Sequence, residues 1–191
     1  KLHDSVTLSA TTDDSLDALL AEAADAAIAG IRRDRPTVLS GRFAEIEKLR
    51  LIALARACLD GDRRRDPFAV IAVEDQRSLA IGPLTLNARL DRVDQTADGR
   101  RIIIDYKTGD AKAVSMLGER PDEPQLPLYL VSAEPGAAAV AFARVRAGDQ
   151  GYVGLARDGD LLPGVKAFAE SRQRDHHAGW PELLADWRRE L

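Results

Sequence analysis

Sulfur and aromatic rings are scarce in this chain of 191 residues, which has one cysteine, one methionine and an aromatic content of 5%. A lone cysteine, Cys58, leaves no disulfide framework and no cysteine-only metal site within the chain, and it suits a reducing, cytoplasmic setting. No apolar run approaches the ~18 residues that a membrane-spanning helix requires. Neither sign of charge dominates: Lys+Arg 27 against Asp+Glu 31 gives −4. A polyanionic partner therefore has to be met by a local basic patch, because net charge speaks to steering and solubility and does not describe a site.

What is present is an ordinary globular composition, 45% apolar and 30% charged, in a length that suits one domain with a good core. Residues 1–62 read as a helical N-terminal part. Leu16, Leu19, Leu20, Ala23, Ala24, Ala27, Ile28 and Ile31 recur at helical spacing behind capping aspartates, and Phe43, Ile46, Leu49, Ala53 and Ala57 resume the pattern after "RPTVLS". From Pro67 the period changes to two, so 67–160 reads as a sheet core: "FAVIAVED", "PLTLNARLDRVD" and "RIIIDYKTG" as strands, "PDEPQLPLYLVSA" as a helix starting near Pro124, then "AAAVAFARVRA" and "GYVGLAR" as strands. Residues 161–191 read as C-terminal helices over 163–177 and 180–191. The order of elements predicts an α/β fold with a central mixed β-sheet flanked by helices. The chain starts at Lys1 and stops inside the helical pattern "WPELLADWRREL", so a piece of a longer protein is the expectation.

The chemistry concentrates at the end of "RIIIDYKTG". Side chains two apart on a strand share a face, so Asp105 and Lys107 project together and Tyr106 points the other way. In the preceding strand the same alternation sets Leu84, Leu86, Ala88 and Leu90 on one face, with Thr85, Asn87, Arg89 and Asp91 on the other. The hairpin between the strands then brings Asp91 toward Asp105. Buried charges are costly unless they are paired or hold a metal, and two carboxylates with water suit Mg²⁺ or Mn²⁺. A neighbouring lysine can orient or deprotonate the attacking water or offset phosphate charge. Gln125 and Tyr129, four apart on one helix face, are placed to hydrogen-bond a phosphate or that water.

"ARLDRVD", "IIIDYKTG" and "EPQLPLYL", in this order and spacing, resemble the RecB/AddB-like exonuclease domains of bacterial DNA-repair proteins, within the PD-(D/E)XK nuclease superfamily. The resemblance spans roughly residues 40–160 and implies a restriction-endonuclease-like core with a metal-dependent deoxyribonuclease activity on DNA. It implies Asp91, Asp105 and the main-chain carbonyl of Tyr106 as metal ligands, Lys107 as the catalytic lysine, and Gln125 and Tyr129 as the Q-x-x-x-Y element beside the site. It also implies a bacterial cytoplasmic setting, a place in repair or recombination, and a helicase subunit or domain as partner. Two departures stand out. Ala88 replaces the glycine that often opens the second motif, and the upstream histidine of many members has only His3 as a counterpart. An iron–sulfur cluster, which relatives often carry, would lie beyond Leu191 in a full-length protein. A catalytically silent DNA-binding or scaffolding module, and a CRISPR-associated exonuclease of the same fold, are the competing readings.

The remaining candidates are weaker. Arg89, Lys112 and Arg120 are expected to touch DNA phosphates, and Glu74 to support the site from behind the ligands or simply to close its strand. Asp94 reads as a turn residue or a partner for Arg92. "DRRRD" at 62–66 reads as a solvated loop, His176 and His177 as a helix end, Trp180 and Trp187 as a packed helical face, and Cys58 as a core thiol.

Overall fold

The structure, a computed structural model, describes residues 2–118 and 121–191. Arg120 lies outside the described residues. A short helix α1 (Ser5–Ala10), not expected from the sequence, precedes α2 (Asp13–Asp34) and α3 (Gly41–Asp62). The Thr12 hydroxyl caps α2 by accepting the Ser15 N–H, while Asp13 and Asp14 in the first turn and Arg32 and Arg33 in the last complement the helix dipole.

The described residues form a six-stranded sheet in sequence order: β1 (Phe68–Ile81), β2 (Leu84–Thr96), β3 (Arg101–Lys107), β4 (Ala139–Arg144), β5 (Gly151–Ala156) and β6 (Val165–Ala167). The β3–β4 and β5–β6 pairs are parallel and the others antiparallel, so the sheet is mixed with flanking helices, as the sequence predicts.

Between β3 and β4 the chain makes a single 3₁₀ turn (Ala113–Met116) and helix α4 (Gln125–Leu128), which runs on as a π-helical turn through Ala133. Pro127 falls in the first turn of α4, where its missing N–H costs nothing. Helix α5 (Trp180–Glu190) closes the described chain, with Trp180 and Trp187 packed edge to face.

β3 is buried on both sides, which explains its three successive isoleucines. Ile103 enters a core with Leu90, Val93, Phe142, Tyr129 and the α5 tryptophans. Ile102 and Ile104 enter a second core with Ala139, Ala141, Leu161 and Leu162.

Two expectations need correction. Strict alternation along β2 fails, because Leu90 and Val93, three residues apart, both enter the first core. β1 is irregular at the same level. Its pairing slips between Val70 and Ala72, and Glu74 lies at φ +51° between the pairs Val73–Arg92 and Asp75–Leu90. Leu84 and Leu86, at the far end of the β1–β2 hairpin, are exposed, whereas Arg92 and Asp94 are buried. Residues 163–177 are not a helix either: they hold β6 and two 3₁₀ turns. Gly164 decides this, since at φ +81° a Cβ there would meet the Tyr152 carbonyl oxygen at 2.6 Å. The close approach lets β6 pair with β5, and only glycine permits it.

Candidate active site

The expected parity holds on β3. Asp105 lies on the Ile103 side, 4% exposed, and Lys107 joins it with Nζ 3.2 Å from Asp105 Oδ2. Asp91 reaches them by a different route than simple alternation. The β2–β3 pairing ends with Arg92 opposite Ile104, and one residue further Asp91 Oδ2 accepts the backbone N–H of Tyr106 at 2.9 Å. The side chain thus replaces a ladder bond where the strands part. The Tyr106 carbonyl points to the same side as its N–H, past the last pair, because Lys107 directs its own carbonyl to Val145 across β4.

A third carboxylate, overlooked in the sequence, completes the cluster. Glu123, in the loop ahead of α4, holds Lys107 Nζ at 2.9 Å. An acidic residue two positions before Gln125 was the only available signal, and nothing in its spacing says that the loop returns to the end of β3.

Electrostatics follow from this crowding. Burial pushes the Asp105 carboxyl above its ordinary value; Lys107 offsets part of that, and Asp91 and Glu123 add to it. Burial works against the Lys107 ammonium, but the hydrogen bond to Glu123 and the charge of Asp105 outweigh it and hold its pKa above the ordinary lysine value.

Gln125 and Tyr129 are joined to each other: Gln125 Nε2 donates to the Tyr129 hydroxyl at 3.0 Å, which donates to the Arg89 carbonyl at 2.9 Å. Tyr129 is buried and Gln125 half-buried, so the pair anchors α4 to β2 two residues before Asp91. The exposed Arg89 side chain pairs with Glu74 at 3.0 Å, and Glu74 lies within β1 rather than at its end. Lys112 pairs with Asp110 at 3.1 Å.

On the opposite face Tyr106 is 43% exposed, and its hydroxyl reaches a buried ion network. Arg92 donates to the Tyr106 hydroxyl at 3.0 Å, to Asp62 at 2.9 Å, and to both oxygens of Asp94 at 2.6 and 2.9 Å. Arg65 pairs with Asp62 and Asp94 and lies 3.9 Å over the Phe68 ring. "DRRRD" is therefore not simply a solvated loop: two of its charges fasten α3 to the sheet. Cys58 is half-buried beside this network, at a cavity of about 240 Å³ also lined by Arg64, Arg144 and Tyr152.

A family model of the PD-(D/E)XK nuclease superfamily matches residues 1–191. The chain belongs to the PD-(D/E)XK nuclease superfamily. A search of curated proteins finds no match. Membership makes the chain a nuclease-type hydrolase, with DNA as the substrate the family implies and divalent metals such as Mg²⁺ as its general cofactor. Among the described residues no helix is long and apolar enough to cross a membrane.

Whether these residues fit such a metal is a question of donors. Among the described residues, no group of three or more His, Cys, Asp or Glu side chains is placed to hold an ion. The minimal set does fit. Asp105 Oδ2 is a buried oxygen that faces the Lys107 ammonium at 3.2 Å, Asp91 is near enough to raise the Asp105 pKa, and the Tyr106 carbonyl points to the Asp91 side. Mg²⁺ commonly takes one or two carboxylates and keeps water and substrate phosphate in its other positions.

Proposed function

We propose that this PD-(D/E)XK chain is a Mg²⁺- or Mn²⁺-dependent deoxyribonuclease of the RecB/AddB-like kind, working as an exonuclease in bacterial DNA repair or recombination beside a helicase subunit or domain. The observation that carries the reading is the Asp91–Asp105–Lys107 cluster. Two carboxylates and an ammonium meet where β2 and β3 part, with the ammonium 3.2 Å from a buried carboxylate oxygen of Asp105.

Asp91, Asp105 and the Tyr106 carbonyl would hold the cation, which when bound supplies charge neutralisation at the phosphate and a more acidic water. Asp91 has a second task, since its bond to the Tyr106 N–H fixes the carbonyl beside it. Lys107 Nζ positions the attacking water or a non-bridging phosphate oxygen. Attack by water on phosphorus breaks the P–O3′ bond, leaving a 5′-phosphate, and the departing O3′ takes a proton to become a hydroxyl. Tyr129 and Gln125 fix α4 against β2, so that loop residues ahead of the helix face the phosphate. Arg89 and Lys112 meet the DNA backbone by exchanging Glu74 and Asp110 for phosphate.

The test is cleavage of labelled single- and double-stranded DNA with Mg²⁺ or Mn²⁺, run with Lys107→Ala and Asp105→Ala. The expected result is cutting by wild type and a loss of about 100-fold or more in each variant, equivalent to ~2.7 kcal/mol of transition-state stabilisation. Equal inertness of all three proteins would overturn the reading and favour a silent DNA-binding module.

A further inference from the structure

Lys107 is shared by two carboxylates, and they differ in what ties them down. Asp105 is buried on β3, whereas the Glu123 side chain is 40% exposed on the loop before α4. The backbone of that loop is fixed independently of the ion pair. The Glu123 N–H donates to the Ser115 carbonyl at 2.8 Å, and the same 3₁₀ turn buries Met116 completely. Glu123 is thus presented to Lys107 by a prearranged backbone, and a half-exposed ion pair contributes little to stability.

The two carboxylates also face different fates when a cation arrives. A divalent ion held by Asp105 would repel the ammonium, now 3.2 Å from Asp105 Oδ2. The lysine stem is flexible, with three rotatable donors at its tip. Released from Asp105 and left without another partner, it is free to swing into solvent. Glu123, already at 2.9 Å, is the group that keeps it beside the phosphate.

We propose that Glu123 is a positioning residue that acts through Lys107, retaining the ammonium at the reaction centre when a cation occupies Asp105. The inference rests on the nuclease reading of the same site and adds to it a residue to which the resemblance assigns no role. Glu123 touches neither phosphate nor cation in this account.

The experiment compares wild type with Glu123→Gln, Glu123→Ala and Glu123→Asp. Steady-state cleavage is measured over a range of Mg²⁺ concentrations, thermal unfolding is followed, and the lysine side-chain ¹⁵N resonances are recorded with Mg²⁺ present, with Lys107 assigned from a Lys107→Arg protein. In Glu123→Ala and Glu123→Gln, kcat should fall by about 10- to 30-fold with KM for DNA within about 2-fold. The Mg²⁺ midpoint should stay unchanged and Tm should lie within about 2 °C of wild type. Glu123→Asp should recover part of the rate. The Lys107 ammonium resonance should persist in wild type with Mg²⁺ and disappear in Glu123→Gln.

An unchanged kcat overturns the inference, as does a loss that high Mg²⁺ restores, since that would make Glu123 a metal ligand. If wild-type protein does not cut, the nuclease reading fails by itself. The tether is then decided by the ammonium resonance alone, and equal resonances in wild type and Glu123→Gln reject it.

Discussion

The Asp91 carboxylate accepts the Tyr106 N–H at 2.9 Å, one residue beyond the last β2–β3 pair. A side chain proposed to bind a cation therefore also serves as the last rung of a ladder. The two roles separate by substitution. Asp91→Asn keeps an acceptor for the N–H, whereas Asp91→Ala leaves an exposed strand amide to water, at a cost of ~0.5–1 kcal/mol. Both variants should lose cleavage by about 100-fold or more. Urea titration should show Asp91→Ala less stable than Asp91→Asn, and equal stability would show that the bond is not needed to hold β3.

Asp105 predicts a dependence of stability on pH. Its folded-state pKa is raised above 3.8, first by burial and then by Asp91 and Glu123. Between 3.8 and that higher value the folded chain binds more protons than the unfolded one, so this group's effect on stability falls as pH rises through that window and stays low above it. Asp105→Asn should therefore raise Tm at pH 7, and its advantage should vanish near pH 3.5. Added Mg²⁺ should raise the Tm of wild type but not of Asp105→Asn. A variant less stable than wild type at neutral pH contradicts both expectations.

Tyr129 and Gln125 can be told apart in the same way. Tyr129→Phe leaves the Arg89 carbonyl without its donor inside the protein, which should lower stability by about 1–2 kcal/mol and weaken cleavage only through a looser α4. Gln125 is half-buried and its side chain donates to the Tyr129 hydroxyl, so Gln125→Ala should leave Tm nearly unchanged. If Gln125 also reaches DNA, that variant raises KM; unchanged kinetics would restrict it to bracing Tyr129.

Arg92 sits among Asp62, Asp94 and the Tyr106 hydroxyl, behind the strand that carries the site. Removing one partner of a buried ion network strands the others, and Arg92→Ala should cost about 3–5 kcal/mol. Arg92→Ala paired with Asp62→Asn should recover much of that, because Arg65 and Asp94, 2.8 Å apart, remain as a balanced pair. Denaturant midpoints of the single and double variants decide between them.

The legible part of this chain was local. Ile102, Ile103 and Ile104 announce a strand covered on both faces, and a period of two is enough to set Asp105 beside Lys107 and Tyr106 opposite. The two-fold pattern misled along β2, where the irregularity at Glu74 and Asp91 turns Arg92 and Asp94 inward; a switch of face leaves no mark in the sequence. Residues 163–177 carry apolar spacing that suits a helix, but Gly164 at φ +81° lies against the Tyr152 carbonyl and opens β6 there instead. Glu123 meeting Lys107 and Asp62 meeting Arg92 are long-range encounters between a loop, a helix end and a strand. They depend on how the elements dock, and no window of neighbouring residues contains them.

The buried network also fixes where the protein cannot be divided. A cut at Pro67 follows the change from helical to strand period, yet it removes Asp62 and Arg65 and leaves Arg92 and Asp94 with half their partners at the back of β2. The first two long helices thus form a removable-looking segment that the sheet cannot release, and α3 and the strands bearing the site should melt in a single transition.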